Sequence, residues 1–484
     1  MYFMGIDLGT GGVRVIVCDT RGALAASCSI QMNETEVQNL PPAFHEQRIQ
    51  TWWPTAVQAI RSALAQLKAG GTGAPAISAI AITSTSGTVL PLDQRNEPLR
   101  PALMYNDGRA LEEARELNSQ NPQFLSKVGW SFQSSFALPK ILWVMRREPQ
   151  VARRVKRWIH AGDYLVGMLT GDFGVSDYST ALKTGYDLVD LCWPPFLQTA
   201  VGLPAEAFPR IFTPGQAIGT VSSSAARQTG LARSTLVCAG MTDASAALFA
   251  AGDCDPGDWN TAVGTTIGIK GITRSLLKDP QGRVYCHRHP MGWWLPGAAS
   301  NVGGECLAVM FPGSDLQELD RKAGELGPAS IIVYPLVRRG ERFPFVEPEA
   351  EGFTLGSPRN EIDLYRGYLE GVGFTERLAY EVLTGLGAEI GKRIFVTGGG
   401  SRSRIWLQIR ADILGKVLVR PRSPDSAFGA AVLAASSTAY SNLADAARGM
   451  AVIEAVFEPQ QTDPLREKYG HFLEACRARG YLRD

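Results

Sequence analysis

A hairpin-like pattern, in which two apolar, β-prone runs flank a glycine-rich turn, occurs twice in this chain. The first copy joins Tyr2–Asp7 to Val13–Asp19 through Leu-Gly-Thr-Gly-Gly, and residues 258–271 repeat the pattern around Val-Gly-Thr-Thr. Runs of this kind separated by a short glycine turn predict β-hairpins. Because a repeated supersecondary unit indicates duplication, we expect two related α/β domains that face one cleft.

The length of 484 residues exceeds what one ordinary hydrophobic core accommodates, which favours two principal domains. An apolar strand near residues 236–240 is followed by an alanine-rich helix, and residues 252–257 (Gly-Asp-Cys-Asp-Pro-Gly) are typical of a connector. We therefore predict an N-terminal domain over residues 1–251 and a C-terminal domain over residues 252–484. The last helical stretch is expected to pack back on the body, with the N-terminal domain as one candidate surface.

Charge and composition point to a small-molecule partner. The net charge is +1 at pH 7, with 45% hydrophobic and 20% charged residues, so the chain lacks the basic footprint of proteins that bind nucleic acids or anionic membranes. Its first residues, Met-Tyr-Phe-Met-Gly-Ile-Asp, contain neither a basic segment nor a sustained apolar stretch, which predicts no signal peptide and no anchor. We expect a cytoplasmic protein that binds neither nucleic acid nor membrane, and a homodimer is left open.

The turn around Gly11 is the first candidate phosphate site. Glycines leave backbone N–H groups uncovered in such turns, Thr10 adds a hydroxyl donor, and Asp7 can hold Mg²⁺ through water. Arg14 follows on the second strand. The turn fits neither the P-loop nor the dinucleotide-binding pattern, so a phosphate grip here belongs to another architecture. An ordinary hairpin is the alternative interpretation.

The turn Val263-Gly264-Thr265-Thr266 is the second candidate phosphate site. A triphosphate needs donors from more than one side, and two similar hairpins that face each other across a cleft would supply them.

Asp243 lies where an apolar strand ends and a helix begins, the position at which open α/β sheets present ligand-binding groups. A carboxylate there, beside phosphate turns, suits phosphoryl transfer, in which it orients a hydroxyl and accepts its proton. Together with Asp7 it would bring negative charge that Mg²⁺ offsets. The alternative interpretation is that Asp243 merely caps the helix.

The run Gly398-Gly399-Gly400-Ser401 lies between a predicted strand and a predicted helix. Three consecutive glycines cost chain entropy, which favours a place where a nucleotide approaches the backbone closely. Ser403 and Trp406 are then candidates to shape an adenine or ribose pocket. A plain turn with Trp406 in the core is the alternative.

The order of these motifs resembles that of a known family. The chain carries Gly5-Ile-Asp-Leu-Gly-Thr, Tyr105-Asn-Asp-Gly-Arg-Ala, Leu138-Pro-Lys-Ile-Leu-Trp, Ala239-Gly-Met-Thr-Asp, Val263-Gly-Thr-Thr and Thr397-Gly-Gly-Gly-Ser. Over nearly its whole length it is similar to the FGGY carbohydrate kinases, members of the actin and hexokinase-like ATPase superfamily. The resemblance implies two ribonuclease-H-like domains around a deep catalytic cleft, and transfer of a phosphoryl group from ATP to a sugar hydroxyl with Mg²⁺.

The resemblance also implies roles for individual residues. Asp243 matches the catalytic base, Asp7 and Thr10 match residues that face Mg-ATP and substrate, and the nucleotide contacts match Gly264, Thr265, Gly399 and Gly400. The stretches Phe173–Asp187, Gly297–Gly304 and Gly340–Pro344 resemble the D-ribulose kinases of plants and cyanobacteria most.

Xylulokinases typically carry Met-His-Gly after their third strand, whereas this chain has Thr85-Ser86-Gly87. Ser86 is therefore a candidate sugar contact, with hydrogen bonding to strand-end backbone as the alternative. Asn106, Asp107 and Arg109 line the sugar side or stabilise their own loop. The leading expectation is a D-ribulose kinase. D-xylulose, ribitol or glycerol are alternative acceptors, and an actin- or chaperone-like ATP switch is the alternative from another class.

Overall fold

The computed structural model describes residues 1–33, 35–69, 76–199, 202–460 and 463–482. Its α-helices are α1 Trp52–Ala69, α2 Leu111–Gln120, α3 Pro122–Val128, α4 Ala137–Arg147, α5 Pro149–Ala152, α6 Ala161–Thr170, α7 Tyr178–Ala181, α8 Phe196–Thr199, α9 Ser223–Thr229, α10 Asp243–Ala251, α11 Glu305–Met310, α12 Leu316–Glu325, α13 Glu361–Gly385, α14 Arg404–Leu414, α15 Ser426–Ser436, α16 Leu443–Met450 and α17 Asp463–Ala478.

The β-strands are β1 Tyr2–Leu8, β2 Gly12–Asp19, β3 Leu24–Gln31, β4 Glu46–Gln47, β5 Ile77–Ser84, β6 Val89–Leu92, β7 Ala102–Leu103, β8 Arg157–His160, β9 Val175–Asp177, β10 Arg210–Phe212, β11 Ala217–Thr220, β12 Leu236–Thr242, β13 Trp259–Val263, β14 Ile267–Gly271, β15 Tyr285–Arg288, β16 Trp294–Ser300, β17 Ile332–Tyr334, β18 Phe353–Leu355, β19 Arg393–Thr397, β20 Val417–Pro421 and β21 Ile453–Phe457.

The chain forms two compact units. The first unit comprises Met1–Cys254, His287–Gly292 and Ser423–Ala451, and the second unit comprises Asp255–Cys286, Trp293–Arg422 and Val452–Asp484. The division near residue 254 lies close to the predicted boundary between residues 251 and 252, which itself stays a prediction for the kinase domains. The return of residues 423–451 to the first unit has no counterpart in that prediction. The predicted cleft between the domains also stays a prediction.

The main sheet of the first unit runs in the order β11-β12-β5-β1-β2-β3. Strand β1 pairs antiparallel with β2 but parallel with β5, and β5 pairs parallel with β12. Strand β5 is buried along nearly its whole length, as expected for a parallel strand covered on both faces. The carboxyl ends of β1, β5 and β12 therefore meet at one edge of the sheet.

A glycine in β1 allows helix α15 to approach the sheet closely. A Cβ atom on Gly5 would lie 1.8 Å from the carbonyl oxygen of Ala427, so any side chain at Gly5 would push the helix away. Ser426, the first residue of α15, is thereby brought beside the end of β1.

The second unit repeats this arrangement. Its main sheet contains the run β16-β14-β13-β19-β20-β21, in which β13 pairs antiparallel with β14 and parallel with β19. Strand β19 pairs parallel with β20. In both main sheets, an antiparallel hairpin (β1–β2 or β13–β14) is followed across the sheet by strands that run parallel to its first strand. The duplication predicted from the two glycine-rich hairpins is present.

The last helix, α17, packs against strand β17 and helix α14 of the second unit. Tyr469 donates a hydrogen bond to Glu381 Oε2 at 2.6 Å, and Phe472 is fully buried beside Phe374. These contacts tie the helix to the second unit. Across the part of the chain that the structure describes, no helix is long and apolar enough to cross a membrane.

Candidate active site

The parallel strands β1, β5 and β12 of the first unit end side by side, and each has a polar residue at or directly after its end. In the register of the sheet, Leu8 and Thr242 both lie opposite Ser84. Asp7 at the end of β1 and Asp243 directly after β12 are therefore presented at the same edge, with the loop that contains Ser86 between them. This is the edge at which parallel sheets present ligand-binding groups.

The environment of Asp7 is partly buried and rich in negative charge. Ser426 Oγ donates a hydrogen bond of 2.7 Å to Asp7 Oδ2. Burial raises the pKa of Asp7 to about 6, helped by the nearby charges of Asp243 and Asp425 and opposed by Ser426 and Arg14. Arg14, about half exposed, lies 3.6 Å from Asp425. The effect of the Asp243 charge on Asp7 agrees with the position of both residues at one edge of the sheet.

Asp243 is the first residue of helix α10, and the preceding residue, Thr242, occupies the N-cap position. Its Oδ1 atom accepts the N–H of Ala244 at 2.7 Å. The hydroxyl of Thr242 contacts Ser245 at 2.9 Å and Ser179 at 3.3 Å. The helix therefore starts one residue earlier than the capping interpretation requires, and Asp243 is half-buried at the sheet edge.

The first glycine turn is braced through its carbonyl groups. Gln47 donates its side-chain amide to the carbonyl oxygen of Thr10 at 2.7 Å, and the N–H of Met32 donates to that of Gly11 at 2.8 Å. Among the residues that the structure describes, the N–H groups of Thr10 and Gly11 have no acceptor. Gly11 is exposed, and a Cβ atom there would meet nothing within 4 Å. Uncovered donors on an open turn are what phosphate binding needs.

Two lysines that the sequence interpretation missed hold the loop after β5. Lys140, fully buried, donates to the carbonyl oxygens of Gly87 at 2.8 Å and Met104 at 2.6 Å. Lys183 donates to the carbonyl oxygen of Ser86 at 3.0 Å. Burial lowers the pKa of Lys183 to about 8, while the charge of Asp243 opposes that change.

Ser86 has a buried Oγ atom without a hydrogen-bond partner among the described residues. The alternative interpretation, in which its hydroxyl satisfies strand-end backbone, finds no support in these contacts. A buried hydroxyl without a partner is costly unless a ligand or water completes it. Ser86 and Lys183 thus offer a donor and acceptor set beyond the end of β5, the strand that pairs with β12.

Asp107 is not part of this donor and acceptor set, because other groups of the protein already donate hydrogen bonds to its carboxylate. It is fully buried, pairs with Arg109 through Nε at 2.9 Å and Nη2 at 2.7 Å, and accepts the N–H of His45 at 2.7 Å. The Arg109 guanidinium also lies 4.0 Å above the ring of Phe44. Of the two roles that the sequence left open, these contacts support loop stabilisation, and the predicted substrate contact of Asp107 stays a prediction.

A cavity of about 660 Å³ lies beside the glycine turns of the second unit. Its lining includes all of the predicted nucleotide contacts in the C-terminal half, namely Gly264, Thr265, Gly399, Gly400, Ser403 and Trp406. The two turns adjoin because Ala262 lies opposite Thr397 in the parallel pair of β13 and β19. The volume is within the range of small-molecule sites.

The three glycines of residues 398–400 differ in what requires them. Gly398 has a φ of +79°, and a Cβ atom there would lie 2.5 Å from the carbonyl oxygen of Val263. A Cβ atom on Gly400 would lie 2.9 Å from Val263 and 3.0 Å from Trp406, whereas Gly399 has open space. Internal packing therefore explains two of the three, and Gly399 is the one that leaves room for a ligand.

Ser403 and Trp406 also have structural duties. Ser403 Oγ accepts the N–H of Trp406 at 3.0 Å and so caps helix α14. Trp406 is 3% exposed, and its Nε1 donates to the carbonyl oxygen of Leu369 at 3.1 Å. The tryptophan is therefore a core residue that also contributes to the cavity wall.

Sequence reasoning missed the remaining walls of the cavity. They come from helices α11, α12 and α13 and include Glu305, Leu307, Ala308, Leu316, Gln317, Asp320 and Tyr365. The preceding pair Gly303–Gly304 packs on the second turn: the N–H of Gly304 donates to the carbonyl oxygen of Gly264 at 2.7 Å. A Cβ atom on Gly303 would lie 2.4 Å from the carbonyl oxygen of Thr265. These glycines were a visible signal that this segment meets the turn.

Comparison with known proteins gives a consistent result. Xylulose kinases of Escherichia coli K12 and Klebsiella pneumoniae are each 29% identical to this chain, over 443 and 452 residues, and each match covers 89% of both chains. The crystal structure of xylulose kinase from Rhodospirillum rubrum superposes with a TM-score of 0.88 at 26% identity and covers 99% of each chain. The crystal structure of a xyloylose kinase from Brucella ovis superposes with a TM-score of 0.90 at 26% identity and covers 100% of both chains.

The family match extends over both halves of the chain. Residues 2–250 match the N-terminal domain of the FGGY family of carbohydrate kinases, and residues 280–438 match its C-terminal domain. The expected α/β fold, with two domains of the actin and hexokinase-like ATPase type, is confirmed. The chain therefore belongs to the FGGY family of carbohydrate kinases, sugar phosphotransferases that use ATP.

Proposed function

We propose that this protein transfers the γ-phosphoryl group of ATP to the terminal hydroxyl of a pentulose, with D-ribulose as the leading acceptor. The observation that carries the proposal is the sheet edge of the first unit, at which Asp7 and Asp243 are both presented beside an open glycine turn. Carboxylates next to uncovered backbone donors suit phosphoryl transfer, which depends on positioning and charge stabilisation.

In this proposal Asp243 orients the acceptor hydroxyl and takes its proton. The acceptor oxygen forms a bond to the γ-phosphorus while the bond from that phosphorus to the β–γ bridging oxygen breaks, and ADP leaves. The N–H groups of Thr10 and Gly11 donate to phosphoryl oxygens. A positioned carboxylate base contributes about 10²- to 10⁴-fold to such a step.

The residues at this edge fit Mg²⁺. Carboxylate oxygens are the ligands that this ion prefers, and the charges of Asp243 and Asp425 near Asp7 leave an excess of negative charge. We propose that Asp7 and Asp243 hold the ion directly or through water. When bound, it would neutralise charge on the phosphate oxygens.

The acceptor preference rests on the loop after β5. By the resemblance, Ser86 stands where xylulokinases typically carry a histidine. Its Oγ has no hydrogen-bond partner among the described residues, and its carbonyl oxygen accepts from the Lys183 ammonium. We propose that both groups bind sugar oxygens, because a buried polar group without a partner favours a sugar that supplies the missing hydrogen bond. D-xylulose is the second candidate, because the curated relatives are named xylulose kinases.

A panel of acceptors tests this proposal directly. ADP release is measured with D-ribulose, D-xylulose, L-ribulose, ribitol and glycerol, each with and without the purified protein. We expect the highest kcat/KM with D-ribulose, and absence of turnover with every pentulose would overturn the assignment. A higher kcat/KM with D-xylulose would overturn only the acceptor preference.

A substitution of Lys183, which contacts this loop, tests the proposed sugar contact separately. Lys183→Met removes the ammonium but keeps a long apolar stem, and we expect the KM for the sugar to rise about tenfold or more while the KM for ATP changes little. Lys127→Met is the matched control, because Lys127 pairs with Asp187 and Asp190 instead. Equal effects of the two substitutions would contradict a sugar contact at Lys183.

The alternative of an actin- or chaperone-like ATP switch loses its support, because the family consists of sugar phosphotransferases. The cytoplasmic location and the homodimer stay predictions.

A further inference from the structure

One wall of the second-unit cavity differs in its chemistry from its surroundings. Leu307, Ala308 and Leu316 supply apolar surface of the kind that a flat base packs against. Asp320, on helix α12, lines the same cavity and is only half-buried. An ionised carboxylate only accepts hydrogen bonds, so a carboxylate in a largely apolar wall requires a hydrogen-bond donor on the ligand group that faces it.

The carboxylate of Asp320 is held in place from behind. The hydroxyl of Tyr365, a residue that is 1% exposed, donates to Asp320 Oδ1 at 2.8 Å. The Tyr365 ring packs edge-on against Phe311 with their centroids 5.1 Å apart. Among the described residues, Tyr365 is the one donor recorded for this carboxylate, so Oδ2 remains as an acceptor.

We infer that Asp320 selects the base of the nucleotide: its carboxylate accepts a hydrogen bond from the exocyclic 6-amino group and so favours adenine over 6-oxopurines. The inference rests on the proposed function in placing the donor nucleotide in this cavity. Tyr365 is a positioning residue, since its hydroxyl donates to Asp320 and so orients the carboxylate that faces the base.

The direction of the selectivity follows from donor and acceptor chemistry. Adenine presents an amino donor at position 6, whereas hypoxanthine and guanine present a carbonyl acceptor there. Two acceptors that face each other in a partly buried site leave both without a donor, and sites of this kind discriminate strongly. We expect ATP to be preferred over ITP by about tenfold to hundredfold.

The substitution Asp320→Asn separates selection of the base from the support that Tyr365 gives to the carboxylate. The asparagine side-chain amide both accepts and donates hydrogen bonds. Asp320→Asn should therefore lower the ATP-to-ITP ratio of kcat/KM about tenfold, chiefly because kcat/KM with ITP rises. Tyr365→Phe should lower the same ratio by a smaller factor. Glu325→Gln is the matched control, because Glu325 lies on the same helix but pairs with Arg321 instead of lining the cavity.

The test combines turnover with binding. Each protein is assayed with ATP and ITP at saturating sugar, and the affinities of ADP and IDP are measured separately by calorimetry without sugar. A wild-type protein that treats ATP and ITP alike, or an Asp320→Asn variant that keeps the wild-type ratio, would overturn the inference. Should Asp320→Asn fail to fold, an unchanged ratio in Tyr365→Phe would overturn it instead.

The binding measurement also distinguishes this inference from the proposed function. Selective binding of ADP over IDP without turnover of any pentulose would support base selection while the acceptor assignment fails. Turnover of a pentulose with equal kcat/KM for ATP and ITP would overturn base selection but not the proposed function. Absence of ADP binding would overturn both.

Discussion

Replacing Gly399 and Gly400 by alanine, one at a time, separates the packing of the second-unit turn from its contact with a nucleotide. A Cβ atom on Gly400 would lie 2.9 Å from Val263 Cγ1 and 3.0 Å from Trp406 Cζ3, and both neighbours are buried. Overpacking of this kind costs about 1–3 kcal/mol. A Cβ atom on Gly399 has nothing within 4 Å, so Gly399→Ala should leave stability within about 1 kcal/mol of the wild type.

The expected results are opposite for the two variants. Thermal unfolding should show a Tm lower by about 2–12 °C for Gly400→Ala and little change for Gly399→Ala. Calorimetry with ADP should show weaker binding to Gly399→Ala, by about tenfold, because the added methyl group occupies the space through which phosphate approaches the backbone. Wild-type ADP affinity in Gly399→Ala would refute nucleotide contact at this turn, and wild-type stability of Gly400→Ala would refute the packing.

Further predictions concern stability, pH and basal activity. Glu376→Ala should destabilise the fold by about 3–5 kcal/mol in urea denaturation, because it leaves the fully buried Arg410 guanidinium without its partner at 2.6 Å; a loss below 1 kcal/mol would contradict this. Burial raises the pKa of Asp163 to about 8 and that of Asp177 to about 7, so the folded state binds protons that the unfolded state releases above pH 4. Stability should therefore fall as the pH rises from about 4 to 8, with a shallower slope in Asp177→Asn, and an equal slope would contradict the coupling. Slow ATP hydrolysis without sugar is expected, since water can occupy the acceptor position, and undetectable hydrolysis would count against it.

Local sequence signals predicted those parts of the site that depend on local conformation. The glycine turns and the predicted helix after the second-unit glycine run, found as α14 at Arg404–Leu414, are encoded by short-range patterns of glycine and apolar spacing. The placement of Asp243 after a strand was likewise visible in the chain. Parallel pairing of β1, β5 and β12 then brings Asp243 and Asp7 to one edge, which the hairpin pattern alone did not predict.

Other features depend on contacts between distant segments. Lys183 is a charged residue whose proximity to Ser86, 97 positions away, follows from tertiary packing that no local pattern encodes. Ser426 lies 419 positions from Asp7 and reaches it only because α15 packs over Gly5. Of the walls that α11, α12 and α13 add to the cavity, the segment that leads into α11 carries a local signal, the pair Gly303–Gly304, whereas the placement of α12 and α13 follows from tertiary packing. Local reasoning therefore found the turns and the position of Asp243 but not the groups that surround them.

The kinase assignment is tested most directly by comparing sugar phosphorylation and nucleotide binding in Asp243→Asn. Asparagine keeps the size and an acceptor oxygen for the N–H of Ala244 but does not take a proton at neutral pH. The kcat with the best pentulose should fall by about 10²- to 10⁴-fold, while the affinity for ADP without Mg²⁺ stays within about threefold of the wild type. A variant that retains more than a tenth of the wild-type kcat would contradict a role for Asp243 as the base.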